Sequence, residues 1–248
     1  MLKIIIPLAG SSELFINSGY TYPKPLIDIK GMPMIQHVIE NIKNVSVQCK
    51  FIFIINEHEA VKFHLDNTLR LLSPQCEIVI LKKSTKGGLC SVLMAIEKID
   101  DDDSLVILNG DQIIEENFND IYNFWLTNNA DAGLVTFKSV HPRWSYARTE
   151  KGNVVQTAEK NPISTNAIAG YYYFANASLF FECAFQVIKN DVQLDGNYYI
   201  SPALNEYVLR NKKVITYPIT PEHYHSFYSP QMVNKFEKII YPANEPES

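Results

Sequence analysis

The 248-residue sequence predicts an α/β fold around a mixed, mainly parallel central sheet. Three observations predict it. Short β-branched runs alternate with helical patterns through residue 140, the order of βαβ units. Beyond residue 140 a hairpin pattern and an aromatic strand replace that alternation and bring antiparallel strands. A hydrophobic content of 46% supports a substantial core, enough for one large α/β domain or two small ones.

The elements follow in order. "LKIIIPLAG" is a buried strand running into a small-residue loop, and "PMIQHVIENIKN" spaces Met34, Ile35, Val38, Ile39 and Ile42 as one helical face. "KFIFIIN" is a second buried strand, "HEAVKFHLDNTLRLL" one helix, and "CEIVIL" a strand. "GGLCSVLMAIEKI" is a helix opening on two glycines, and "SLVILNGD" is a strand ending in Asp111. "NFNDIYNFWLTNN" is helical and "DAGLVTFKSV" extended. "YARTEKGNVVQTAEK" reads as a hairpin with Gly152 and Asn153 in its turn. "AGYYYFA" is an aromatic strand, "ASLFFECAFQVIKN" a helix and "KVITYPIT" a strand. The aspartates at 100–103 read as a solvated turn, and "YPANEPES" as a frayed tail. There is no internal repeat and no low-complexity block.

Bulk properties exclude several classes. Net charge is −5, so the electrostatic footprint of a nucleic-acid binder is missing. No apolar stretch approaches the ~18 residues of a membrane span, and the first residues lack the pattern of a signal peptide. The four cysteines, Cys49, Cys76, Cys90 and Cys183, show no metal-ligand spacing and read as buried thiols of a reducing compartment. The expectation is a cytoplasmic globular protein.

Two features invite chemistry. In "GYTYPKPL", Pro23 and Pro25 restrict the backbone of Lys24 and disfavour a helix there. A lysine that must aim its ammonium at one place would gain from this, although prolines at turn positions are the plainer account. Asp111 falls at the carboxyl end of a strand, where open parallel sheets bind ligands. A carboxylate there suits Mg²⁺, but it serves equally as a turn residue or a helix cap.

The motifs together resemble the sugar-phosphate nucleotidyltransferases. The resemblance rests on "IIIPLAG…GYTYPKPLIDIKGMPMIQHVIENI", "STKGGLCSVLMAIEKI", "LVILNGDQ" and "WSYARTEKGNVVQTAEKNPISTNAIAGYYYF", and spans about residues 3 to 236. It implies a Rossmann-like three-layer sandwich over residues 1–241. Residues 1–140 would bind nucleotide and 141–241 sugar phosphate, with 242–248 as a tail. It implies transfer of a nucleoside monophosphate from an NTP to a sugar 1-phosphate, with Mg²⁺, for surface polysaccharide. Lys24 would contact phosphates, Asp111 would hold Mg²⁺, and Lys160 would neutralise the sugar phosphate. Leu8, Ala9, Gly10, Ser11, Thr85, Gly87, Gly88 and Asn109 would contact the nucleotide. Glu159 and Asn205 would bind the acceptor, and Gly170 would leave room for its ring.

The sequence also departs from the family pattern. The family loop reads G-x-G-(S/T)-R, whereas here Ser12 replaces the second glycine and Leu14, preceded by Glu13, stands at the arginine position. Near the C-terminus, "YHSFYSP" offers Ser226 where many members carry a second metal-binding carboxylate, with His223 and His225 nearby as hydrogen-bonded structural residues and Asp195 as another carboxylate source. Three readings follow: an active nucleotidyltransferase, a non-catalytic binding or regulatory relative, and a nucleotide-sugar glycosyltransferase. The third ranks lower because "GDQ" lacks an Asp-x-Asp motif. Base, acceptor and oligomeric state stay open, a homo-oligomer included.

Overall fold

The computed structural model describes residues 1–240 and shows one nine-stranded sheet. Its strands are β1 (Leu2–Pro7), β4 (Cys49–Asn56), β5 (Glu77–Leu81), β6 (Ser104–Leu108), β8 (Ala132–Lys138), β9 (Tyr146–Glu150), β10 (Asn153–Ala158), β11 (Asn166–Phe174) and β12 (Val214–Pro218). Short pairs β2 (Asp28–Ile29) with β3 (Met32–Pro33), and β7 (Gln112–Ile114) with β13 (Tyr224–Ser226), lie outside it. The strand order is β5-β4-β1-β6-β11-β8-β12-β10-β9. The first four are parallel, β11 runs antiparallel between β6 and β8, and β12 returns parallel to β8. The mixed, mainly parallel sheet is as the sequence predicts.

Alternation along the strands builds three layers, because successive side chains point to opposite faces. Ile4 and Ile6 of β1 pack on one face with helices α2 (Met34–Ile42), α4 (Leu65–Leu72) and α6 (Phe118–Thr127). Ile5 packs on the other with α5 (Gly88–Leu93), α7 (Ala177–Lys189) and α8 (Ser201–Leu209). A smaller cluster of Phe15, Ile27, Met34, Phe227 and Phe236 joins α1 (Glu13–Ile16) to α9 (Pro230–Ile240). It anchors the chain on both sides of the Lys24 segment.

Local differences have local causes. The helix expected over 58–72 breaks at His64, whose φ of 53° is left-handed, into α3 (Glu57–Phe63) and α4. The hairpin turn is Lys151-Gly152 rather than Gly152-Asn153. Both residues have positive φ, as a type I′ turn requires, and Asn153 already pairs with Glu150. Lys24 opens a three-residue 3₁₀ turn, Lys24–Leu26, closed by the Leu26 N–H on the Pro23 carbonyl at 2.8 Å. Pro23 and Pro25 exclude a longer helix but tolerate this turn. Asp103 is buried rather than solvated. Burial would raise its pKa, yet the Asp100 N–H and Lys3, at 3.3 Å, hold it below the usual range. The four cysteines are free, Cys76 and Cys183 buried and Cys49 and Cys90 partly so. No helix of the described residues is long and apolar enough to cross a membrane. The expected tail, 242–248, lies outside the described residues.

Candidate active site

The carboxyl ends of β1, β4, β5 and β6 open on a cleft of about 1180 Å³. The loop after β1 brings Leu8, Ala9, Gly10 and Ser11 to its wall, and the turn before α5 brings Thr85, Gly87 and Gly88. Asn109 and Asp111 follow β6, while Glu159, Lys160 and Gly170 close the far side. Residues far apart in sequence therefore meet in one place, as the motifs require.

Lys24 and Asp111 form the centre. Lys24 Nζ donates to Asp111 Oδ2 at 2.7 Å, with about a fifth of each side chain exposed. The Lys24 N–H donates to Ser12 Oγ at 2.9 Å, which ties the turn to the first loop. The two prolines thus serve an ammonium with a fixed aim. The first loop is open, with Gly10 and Ser11 exposed. Glu13 and Ile16 of α1 face the cleft, while Leu14 is exposed and not among the lining residues.

The glycines act differently from one another. Gly87 has φ of 95°, and a Cβ there would meet the Tyr198 carbonyl at 2.5 Å, so only glycine lets the turn pack on that backbone. Gly170 has φ of 67° at a break in the β8–β11 register. A Cβ there would strike the Asn109 amide and lie 2.7 Å from Gln112 Oε1. The space beside Gly170 is held by Asn109, so this glycine makes room for a protein side chain first. Asn109 Nδ2 donates to Gln112 Oε1 at 3.2 Å, and Gln112 donates to the Ala169 carbonyl.

On the acceptor side, Glu159 Oε2 accepts from Ser145 Oγ and Ser201 Oγ, each at 2.7 Å, and no described residue bonds Oε1. Burial raises the Glu159 pKa, and the two hydroxyls and Lys160 offset part of that shift. Lys160 pairs with Asp195 at 3.6 Å and lies over the Tyr199 ring at 5.4 Å. Asp195 therefore serves Lys160 and does not line the cleft. Asn205 is also displaced from its expected role. Its amide accepts from the Thr157 N–H at 2.7 Å and donates to the Thr157 carbonyl at 3.0 Å, tying α8 to β10 outside the cleft.

Ser226 does reach the cleft wall, and the Phe227 N–H donates to the Asp111 carbonyl at 2.7 Å. His223 and His225 are instead bonded to Glu116 and Glu115, each at 2.8 Å. Among the described residues no group of three His, Cys, Asp or Glu could hold a metal. A Mg²⁺ that arrives with phosphate oxygens needs few protein carboxylates, and Asp111 on the cleft wall fits as one of them.

Sequence reading missed Glu59, Arg143, Trp144, Ser145 and Ser201. Glu59 lines the cleft at 6% exposure, and no described group bonds its Oε2. Burial raises its pKa to about 7, against the attraction of Lys24. Its place just past a parallel strand's carboxyl end was the available signal. The folded state binds the Glu59 proton more tightly than the unfolded chain, so this group costs stability as pH rises from about 4.5 to 7. Glu59→Gln is expected to stabilise the protein by about 2–3 kcal/mol at pH 8 and by nothing at pH 4.5, read by chemical denaturation. An equal gain at both pH values would rule out the buried carboxyl as the cause.

A sequence model described as nucleotidyl transferase matches residues 8–215. The chain belongs to that family. The bifunctional protein GlmU of Methanococcus maripaludis is 30% identical over 183 residues, covering 71% of this chain and 41% of the relative. The chain spans about half the length of the curated relatives it matches. Among solved structures, a nucleoside-diphosphate-sugar pyrophosphorylase from Vibrio cholerae superposes with a TM-score of 0.82 at 26% identity, covering 95% of this chain and 99% of that one. A UDP-glucose pyrophosphorylase complexed with UDP-glucose shares the fold, with a TM-score of 0.77 at 17% identity and coverage of 97% and 98%. The cleft that carries the Lys24–Asp111 pair thus lies within a chain of this family.

Proposed function

We propose that this nucleotidyl transferase joins a nucleoside monophosphate from an NTP to a sugar 1-phosphate and releases pyrophosphate. The observation that carries the reading is the Lys24–Asp111 pair at 2.7 Å in a cleft whose other wall carries Glu159 and Lys160. The relatives that make or hold nucleotide sugars support it. The acceptor phosphate oxygen attacks the α-phosphorus, and the bond to the β-phosphate bridging oxygen breaks. Both reactants are anionic, so positioning and charge neutralisation do the work. Lys24 aims its ammonium at the phosphates. Backbone N–H groups of Ala9, Gly10 and Ser11 approach the nucleotide, since small residues admit it closely. Leu8, Asn109 and the turn at Thr85, Gly87 and Gly88 complete that side. Glu159 accepts from sugar hydroxyls, and Lys160 faces the acceptor phosphate. Asp111 would hold Mg²⁺, which neutralises phosphate charge when bound.

Residues 1–140 serve the nucleotide and 141–241 the acceptor, in a cytoplasmic protein making a precursor for surface polysaccharide such as capsule. A non-catalytic binding role is the second reading, favoured by Glu13 on the cleft wall and Ser226 in place of a carboxylate. The test is incubation with Mg²⁺, each NTP and a panel of sugar 1-phosphates, following pyrophosphate. One NTP and one sugar 1-phosphate giving Mg²⁺-dependent release is expected. Binding without release from any combination favours the second reading.

A further inference from the structure

The cations lining the cleft differ in what they already hold. Lys24 pairs with Asp111 and Lys160 with Asp195, whereas Arg143 and Lys62 pair with no carboxylate among the described residues. Lys62 lies beside the Phe63 ring on α3, the nucleotide side. Arg143 lies between β8 and β9, on the acceptor side, and its guanidinium is 4.0 Å from the Trp144 ring centroid.

That guanidinium sits on a built wall. Trp144 meets Phe137 and Tyr224 edge-on, at 5.5 and 5.4 Å, and those two rings stack on each other at 4.5 Å. The turn beneath is folded by its own bonds. The Arg143 N–H donates to His141 Nδ1 at 3.2 Å, and Tyr146 Oη donates to the His141 carbonyl at 2.7 Å. The next residue, Ser145, donates to Glu159. Arg143, Trp144 and Tyr224 line the same cleft as Asp111.

We propose that Arg143, stacked on Trp144, is the guanidinium that binds the phosphate of the acceptor. The inference rests on the nucleotidyl-transfer reading and deepens it. A phosphate matches a planar guanidinium bidentately, and an indole beneath the plane limits the orientations to be lost on binding. An exposed guanidinium with no described carboxylate partner, held over the Trp144 ring and two residues from the serine that bonds Glu159, answers the chemistry of a sugar phosphate, with hydroxyls for the carboxylate and an anion for the cation. Lys160, tied to Asp195 at the rim, then assists from a longer reach.

The test is steady-state kinetics of wild type, Arg143→Ala and Arg143→Lys with the NTP and sugar 1-phosphate that wild type turns over. Arg143→Ala is expected to raise the KM for the sugar 1-phosphate at least tenfold and leave the NTP KM within twofold. Arg143→Lys recovers part of the loss, because a point charge replaces a fork. Calorimetric titration with the same sugar 1-phosphate and with its unphosphorylated sugar should show the variant losing affinity only for the phosphorylated one. A rise in the NTP KM alone would assign the guanidinium to the donor and overturn the proposal, as would unchanged kinetics. If wild type turns over nothing, the parent reading fails; if wild type is active and Arg143→Ala is unaffected, this inference alone fails.

Discussion

Lys24→Ala is expected to lower the rate of pyrophosphate formation by about 10²–10³-fold, the usual cost of removing one preorganised donor from a site of developing charge. Two effects act together. The variant loses an ammonium that Pro23, Pro25 and Ser12 hold in place. It also unmasks Asp111, whose carboxylate then faces the incoming phosphates without its partner at 2.7 Å. Asp111→Asn is expected to abolish Mg²⁺-dependent turnover while changing stability by at most about 1 kcal/mol, since the pair is partly exposed. The double variant should be less damaged than the sum of the two, because the residues share one interaction. Rates measured at saturating substrates with thermal melts beside them check both halves. A large loss of folding stability in Asp111→Asn would instead make Asp111 a structural cap.

The second large effect is on folding. Gly170→Ala puts a methyl group against the Asn109 amide, at a residue whose φ is 67°. The left-handed backbone costs about 1–2 kcal/mol and overpacking about 1–3 kcal/mol more. At this chain length, each kcal/mol moves the melting temperature by about 2–4 °C, so a drop of about 4–20 °C is expected. Turnover should fall as well, because Asn109 precedes Asp111 by two residues and would be pushed aside. Adding Asn109→Gly to Gly170→Ala removes the nearer obstacle but leaves Gln112 Oε1 at 2.7 Å, so it should restore part of the packing loss and none of the backbone part. Equal melting temperatures for Gly170→Ala and wild type would show that the strand can shift to accept the methyl group.

The parts of this architecture that were legible in the sequence are those with a strong period or a fixed spacing. The buried strands at β1, β4 and β6 read directly from runs such as "KIII" and "LVIL", and their carboxyl ends located Asp111 and the first loop. The break at His64 carried no proline or glycine to announce it. α8 was hidden by Pro202, which sits in the helix's first turn, where proline is tolerated. α9 was obscured in the same way by Pro230 at its start. The site shows the same division. Lys24 and Asp111 were found because short-range motifs mark them. Ser145 and Ser201 could not be, since they act through Glu159 and meet it only across 14 and 42 residues of chain. Asn205 was assigned to the acceptor by the resemblance alone, but its amide satisfies the β10 backbone, a common use of a partly buried asparagine.

The most direct measurement follows the α-phosphorus. The protein is incubated with Mg²⁺, an NTP labelled at that atom, and the sugar 1-phosphate it accepts. The label is expected to move into a sugar-linked diphosphate, the released pyrophosphate to carry none, and Lys24→Ala and Asp111→Asn to suppress both products together. Label remaining in the NTP with every sugar 1-phosphate, or leaving as free nucleoside monophosphate, would contradict nucleotidyl transfer in this cleft.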